Sequence, residues 1–263
     1  MSIILEMFDD LRTFFWYIRR PSLYPALLDL ILRTFFLKKH DTNNARLEAT
    51  EWCKNKAISK KELFSKIGLK GEVSFEDAAG QDYLNQTKDK ILKSKANFGG
   101  GGGLDLLFSI CSEKEIYNVI ETGVAYGWST SAILHAISPK DGNLISVDMP
   151  MPKQDDYHLI GVAIKKQHKK NWKIIRRPDK PGLLKAIKQI NKPIDLIHYD
   201  SDKSYYGRKW AYSIIMNNLA QKGFFVSDDI QDNLYFRDFV EGSSFSYWVT
   251  FVEGKYVGII QNS

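Results

Sequence analysis

Three carboxylates in the second half of the chain have the types and spacing to bind a cation. Asp200, Asp228 and Asp229 each follow an apolar segment that is predicted to be a buried strand. Parallel strands deliver the residues at their carboxyl ends to one edge of a sheet, so these acids should converge. Close carboxylates repel one another unless a cation binds, and oxygen ligands suit Mg²⁺ or Ca²⁺. The pattern therefore predicts a metal site, with Mg²⁺ favoured; alternatively the acids cap helices that start near Ser204 and Asn233.

A second group of residues, between 119 and 148, has the pattern of a nucleoside site. Gly123 and Gly127 bracket a turn after a short β-branched strand. Ser129 then falls in the first turn of a helix, where free N–H groups attract a carboxylate or phosphate. Asp148 ends the next strand, where a carboxylate can accept both hydroxyls of a ribose. The expected ligand is a nucleoside that carries an acidic group.

The spacing of the glycines bears on which nucleoside is bound. Dinucleotide folds use Gly-x-Gly-x-x-Gly for the pyrophosphate, whereas Gly123 and Gly127 have three residues between them, so NAD is disfavoured. Glu121 would repel phosphates but would pair with an α-ammonium group. S-adenosylmethionine presents an ammonium, a carboxylate and a ribose together, and it is the predicted cofactor. The alternative is an ordinary α/β turn without a ligand.

The segment Glu121-x-Gly123-x-x-x-Gly127-Trp128-Ser129 resembles the first motif of class I methyltransferases, in particular the catechol and caffeoyl-CoA O-methyltransferases. This resemblance implies a methyltransferase fold over roughly residues 100 to 260. It also implies transfer of a methyl group from S-adenosylmethionine to an oxygen of a small or lipid-linked acceptor. Two rivals remain open, a hydroxylase-like enzyme on the same fold and a non-catalytic membrane-associated binding module.

The acidic segments carry the resemblance further. Asp200-x-x-Lys203-x-x-Tyr206, followed by Asp228-Asp229, is similar to the metal and catalytic motifs of the cation-dependent members. The likeness implies that the three aspartates hold the metal and that Lys203 is the catalytic base. That family usually has Asn where this chain has Asp229. A metal-free enzyme, in which Asp228 and Asp229 only orient the acceptor, therefore stays open.

The elements that must position these residues form an α/β fold. We predict a doubly wound, mostly parallel, Rossmann-like sheet in residues 96–263, finished by an antiparallel hairpin over 247–260. Residues 1–95 are expected to form a helical appendage, and an amphipathic helix is expected over 160–170. Five glycines at 99–103 indicate a gate over the site, a close approach of main chain to a ligand, or a plain linker.

The N-terminal forty residues contain an apolar stripe with basic flanks. Its members recur at helical spacing: Leu27, Leu28, Ile31, Leu32, Phe35 and Phe36. Charged residues interrupt every apolar run before it reaches the ~20 residues of a spanning helix. The stripe indicates a helix in an anionic membrane interface, or else one that packs on its own core or in a homodimer.

Composition excludes several other classes. The 263 residues carry a net charge of +6, but the basic runs lack aromatic interleaving and are read as solvated faces, not as a nucleic-acid site. Two distant cysteines have no metal spacing, and no signal sequence opens the chain, so the cytoplasm is the expected compartment.

Overall fold

The protein is described by a computed structural model over residues 13–36, 40–94, 97–150 and 157–262. Its strands are β1 (Ala57–Ile58), β2 (Asn118–Thr122), β3 (Asn143–Val147), β4 (Trp172–Ile175), β5 (Ile194–Tyr199), β6 (Leu219–Ser227), β7 (Ser246–Val252) and β8 (Lys255–Gln261). Its helices are α1 (Tyr24–Phe36), α2 (Asn43–Lys56), α3 (Lys60–Lys66), α4 (Phe75–Ala79), α5 (Gln81–Leu92), α6 (Leu104–Glu113), α7 (Trp128–Ile137), α8 (Asp179–Ile190), α9 (Tyr205–Asn218) and α10 (Tyr235–Glu241).

The strands form one sheet in the order β1-β7-β8-β6-β5-β2-β3-β4. Strands β2 to β6 are parallel to their neighbours within this group, whereas β8 is antiparallel to both β6 and β7. The sheet reverses its order between β2 and β5, because β3 and β4 lie on one side of β2 and the later strands on the other. Ligands of open α/β sheets bind at such a switch point. The predicted mostly parallel sheet and the C-terminal hairpin are both confirmed.

Two apolar cores cover the two faces of the sheet. Successive residues of a strand point to opposite faces, so Val119 and Ile120 of β2 enter different cores, as do Leu196 and Ile197 of β5. Each of these four side chains is fully buried. Burial on both faces explains why the central strands read as continuous apolar runs, and it confirms the doubly wound arrangement.

The predicted N-terminal appendage, residues 1–95, contributes to this sheet. Strand β1 pairs in parallel with β7 at the sheet edge, and Cys53 of α2 lies in one of the cores. The described part of this segment is otherwise mainly helical, from α1 to α5. It therefore packs as part of the same body as the sheet.

The prediction of an amphipathic helix over residues 160–170 is wrong. That stretch consists of turn residues followed by a 3-10 segment at Lys166–Asn171, and another 3-10 segment at Tyr157–Leu159 precedes it. Gly161 between them has a φ of +70°, and a Cβ there would lie 2.7 Å from the Trp172 ring. A regular α-helix cannot include a residue with this φ. The apolar residues of 160–170 are therefore spaced as in a helix without forming a helix face, and the segment packs against β4 instead.

Candidate active site

Four of the residues singled out in the sequence stand directly after a strand. They are Gly123, Asp148, Asp200 and Asp228, which follow β2, β3, β5 and β6. The backbone N–H of each donates a hydrogen bond to a carbonyl of the neighbouring strand, with distances of 2.8 to 3.1 Å. These bonds continue the parallel ladder by one residue and bring the four positions to the same edge of the sheet.

The turn between β2 and α7 depends on its glycines. Gly123 and Gly127 have φ values of +83° and +84°, a backbone conformation that residues with a side chain rarely adopt. A Cβ on Gly123 would lie 2.4 Å from the backbone carbonyl oxygen of Asp200, and one on Gly127 would lie 2.8 Å from the Cα of Gly161. Glycine is required here because neighbouring backbone, as well as any ligand, approaches the turn.

Glu121 does not face the cavity, which argues against its predicted direct contact with an ammonium group. Its side chain is 0% exposed, and its oxygens accept hydrogen bonds from Ser129 Oγ at 2.7 Å, Thr130 Oγ1 at 2.6 Å and Ser146 Oγ at 2.9 Å. Three hydroxyl donors occupy a buried carboxylate that would otherwise be costly. Glu121 thereby fixes the first turn of α7, where Ser129 lines the cavity.

Asp148 lines the cavity and is held by an arginine that sequence reasoning missed. Its Oδ2 accepts a hydrogen bond from Arg176 Nη1 at 2.6 Å. Burial raises the pKa of the Asp148 carboxyl to about 6, although the Arg176 guanidinium lowers it. Arg176 directly follows β4, the neighbour of β3, so the strand-end rule that located Asp148 also points to it.

The predicted metal ligands meet two lysine ammonium groups. Lys203 Nζ lies 3.0 Å from Asp200 Oδ1 and also donates to Asp229, while Lys255 Nζ donates to Asp228. Lys255 opens β8 and is a second residue that the sequence did not identify, because a lysine after a hairpin turn normally faces solvent. The three aspartates therefore converge as predicted, but they converge on amines; we call these five residues the carboxylate–lysine cluster.

This arrangement does not fit the predicted divalent cation. Within the described residues, no group of three or more His, Cys, Asp or Glu side chains is placed to hold a metal ion. The extra charge of Asp229, where the resembling family usually has Asn, is balanced here by Lys203. Burial lowers the pKa of Lys203, but Asp200 and Asp229 outweigh burial and raise it above its usual value. A neighbouring cation would act in the opposite direction and favour the neutral amine.

His198 connects the two halves of the site from inside the sheet. Its ring is fully buried, with Nδ1 3.4 Å from Glu121 Oε1 and Nε2 3.6 Å from Asp228 Oδ2. Burial lowers the pKa of His198, but the two carboxylates outweigh burial and raise it to about 10. Burial has the opposite effect on the Asp228 carboxyl and raises its pKa. The contacts of Asp228 with His198 and Lys255 outweigh burial and hold that pKa at about 2. A protonated ring at this position would offset part of the negative charge of the two buried carboxylates.

One cavity of about 710 Å³ joins the glycine turn to the carboxylate–lysine cluster. From the turn side it is lined by Gly123, Ser129 and Asp148, and from the cluster side by Asp200, Lys203, Asp228, Asp229 and Lys255. The predicted glycine run also lines it, from Gly99 to Gly102. A Cβ on Gly101 would lie 2.5 Å from Trp128 Cβ, and one on Gly102 would lie 2.8 Å from Lys255 Cε. The run thus passes close to other chain segments beside the cavity.

A family model described as a methyltransferase domain matches residues 120–230, which contain the glycine turn, Asp148 and most of the cluster. Together with the doubly wound sheet, this match identifies residues 120–230 as a methyltransferase domain with the class I fold. The resemblance stated from the sequence motifs is confirmed at this level. No protein of curated function matches the sequence.

Solved structures share this fold at low sequence identity. An O-methyltransferase from Bacillus cereus in complex with SAH is 14% identical, with a TM-score of 0.50 over 80% of this chain and 98% of its own. An SAH-bound methyltransferase from Podospora anserina is 12% identical, with a TM-score of 0.52 over 84% of this chain and 97% of its own. A putative caffeoyl-CoA O-methyltransferase from Staphylococcus aureus is 14% identical, with a TM-score of 0.50 over 70% of this chain and 91% of its own. At these identities the similarity establishes the fold alone.

Proposed function

We propose that this methyltransferase uses S-adenosylmethionine to methylate a hydroxyl oxygen of a small or lipid-linked acceptor. The observation that carries the proposal is the single cavity that joins a nucleoside-type turn to the carboxylate–lysine cluster. The two SAH-bound structural relatives support the donor, and the Bacillus cereus relative, described as an O-methyltransferase, supports the acceptor atom.

The cofactor half of the cavity would bind the nucleoside through the turn and the next strand end. The backbone after Gly123 approaches without side-chain obstruction, and Ser129 with the free N–H groups of α7 suits the amino-acid carboxylate. Asp148 is placed to accept the ribose hydroxyls. When bound, S-adenosylmethionine supplies an electrophilic methyl carbon on a sulfonium. Glu121 would act only by holding Ser129.

The carboxylate–lysine cluster would receive the acceptor. In the reaction, the hydroxyl loses its proton, the new O–C bond forms and the C–S bond breaks. Lys203 and Lys255 can stabilise the developing oxyanion by charge and hydrogen bonding, because both ammonium groups lie at the cavity wall. The carboxylates can accept the proton or orient the hydroxyl. The proposed reaction uses no divalent cation, since the described residues do not form a site that fits one.

Two substitutions of Lys203 separate proton transfer from electrostatic stabilisation. Lys203→Met should lower kcat by ~10²–10⁴-fold in either role. Lys203→Arg keeps the positive charge but cannot release a proton at neutral pH, so it should retain much of the activity only if Lys203 acts by charge. Lys209→Met, at an exposed lysine on α9, is the matched control and should leave turnover unchanged.

Methyl transfer should be measured with labelled S-adenosylmethionine and a panel of catechols and simple alcohols, before and after exhaustive chelation. We expect full activity in the chelated enzyme. Loss of activity that Mg²⁺, Mn²⁺ or Ca²⁺ restores would establish the metal mechanism instead. Calorimetry that shows no binding of SAH would overturn the assignment of the cofactor itself.

A further inference from the structure

The N-terminal residues 13–36, which we call the N-terminal cover, form part of the cavity wall. Tyr17, Pro25, Ala26 and Asp29 line the cavity. Asp29 also forms an ion pair of 2.9 Å with Lys180 in the first turn of α8. The cover therefore lies against the candidate active site, with one side of α1 turned towards the cavity.

The other side of α1 is apolar and exposed to solvent. Tyr24, Leu28, Ile31 and Leu32 lie on this side, and Leu28 and Leu32 are 61% and 48% exposed. Their spacing of four, three and one residues places them on one face of a helix, whereas the cavity-lining positions 25, 26 and 29 fall on another. The stripe residues Leu28, Ile31 and Leu32 therefore lie on the solvent-exposed side of α1, and other positions of the helix line the cavity.

Exposed apolar side chains also occur in the preceding helical residues 13–18. Phe14, Phe15 and Ile18 are also exposed there. Among the described residues, seven of the fourteen exposed large hydrophobic side chains lie in the cover, although it is only 24 residues long. Single exposed apolar residues are normal, but a concentration of this kind marks a surface that binds something.

The charge beside this face favours an anionic membrane over a second copy of the chain. Arg19 and Arg20 are exposed between the two helical parts, and the Arg20 guanidinium lies 4.3 Å above the Trp16 ring. A two-fold contact through the same face would bring the basic residues of both copies together, which is unfavourable. Anionic headgroups would instead pair with them, and an apolar face with basic residues and aromatic rings is typical of interfacial helices.

No helix in the described part of the chain is both long and apolar enough to cross a membrane. We propose that the N-terminal cover docks into the surface of an anionic membrane through Phe14, Phe15, Ile18, Leu28, Ile31 and Leu32. Docking would hold the cavity about 10 Å from the lipid surface, the diameter of one helix. This inference concerns binding and stands independently of the proposed methyl acceptor.

The test is sedimentation of the full chain with vesicles of phosphatidylcholine, with and without phosphatidylglycerol. The unchanged protein should sediment with the anionic vesicles, and less so at high salt. Leu28→Glu with Leu32→Glu should weaken this binding at least ~10-fold, because both side chains lose their apolar burial and add negative charge. Both positions are exposed, so the fold should survive, which retained binding of SAH would confirm.

Leu47→Glu with Leu92→Glu is the matched control, since these leucines are 69% and 80% exposed but lie outside the cover. This variant should sediment like the unchanged protein. The proposal fails if the unchanged protein does not sediment with anionic vesicles, or if both double variants lose binding equally. It also fails if light scattering shows a dimer that only the Leu28 and Leu32 changes dissociate, because the face is then a subunit interface. If the unchanged protein does not bind SAH, that result counts against the proposed function and not against membrane docking.

Discussion

The ionisation of Asp148 should control the affinity of the protein for the cofactor product SAH. Asp148 is 6% exposed, and its pKa is raised to about 6 by burial despite the contact with Arg176. Only the ionised carboxyl offers both oxygens to ribose hydroxyls. Because the pKa is raised, this form is complete well above pH 6 and is lost as the pH falls through it. SAH should therefore bind more weakly in acid.

The size of the effect follows from that pKa. Between about pH 7.5 and about pH 5, the ionised fraction falls from nearly complete to about one tenth. If only the ionised form binds ribose well, the affinity should fall about tenfold, which corresponds to ~1.4 kcal/mol. Asp148→Asn removes the titration and one acceptor oxygen. It should weaken binding by about 1 to 3 kcal/mol at neutral pH and abolish the pH dependence in this range.

Calorimetric titration with SAH at several pH values is the assay, and adenosine is the second probe. Adenosine has the ribose but lacks the ionisable amino-acid part, so a shared pH dependence reports on the protein. Glu253→Gln, which removes an exposed acid elsewhere on the cavity wall, is the matched control and should keep the dependence. An affinity that is constant from acid to neutral pH, or a dependence that persists in Asp148→Asn, would refute the assigned role of Asp148.

Two further substitutions test the framework of the site. Gly123→Ala should destabilise the fold by more than the ~1 kcal/mol of a left-handed conformation, since its Cβ would meet the Asp200 carbonyl. Gly254 has a φ of +89°, and a Cβ there would have no atom within 4 Å, so Gly254→Ala is the control. In denaturant unfolding this control should lose only the smaller free energy of unfolding. Equal losses of stability in the two variants would contradict the clash at Gly123. Glu121→Gln should lower the pKa of His198 from about 10, because only Asp228 would then remain to oppose the effect of burial on the charged ring. An unchanged imidazole titration, followed by NMR, would show that Glu121 does not stabilise the charged ring.

The edge of the sheet that carries the site was predictable from local sequence. Gly123, Asp148, Asp200 and Asp228 each end an apolar β-branched segment, and parallel strands bring their carboxyl ends to one edge whatever the loops between them do. The same rule, applied to the end of β4, would have found Arg176. Fold class and the position of the site therefore depend on short apolar segments and on the residues at their carboxyl ends, which the local sequence shows by itself.

Local periodicity failed where a neighbouring segment decides the backbone. The apolar spacing of residues 160–170 predicts a helix, but Gly161 packs against Trp172 with a positive φ and the stretch forms turns and a 3-10 segment. The N-terminal stripe is helical as predicted, yet its periodicity alone did not show that it faces solvent while positions 25, 26 and 29 of the same helix line the cavity.

The sequence by itself determined the class I methyltransferase fold, the glycine turn and the convergence of three aspartates. Only the tertiary structure decided what those groups contact. Glu121 is turned to buried hydroxyls and away from the cavity, and Lys255 arrives from a hairpin far along the chain to pair with Asp228. Which charges balance one another depends on long-range packing, because a buried carboxylate takes the nearest desolvated partner in space irrespective of its place in the sequence.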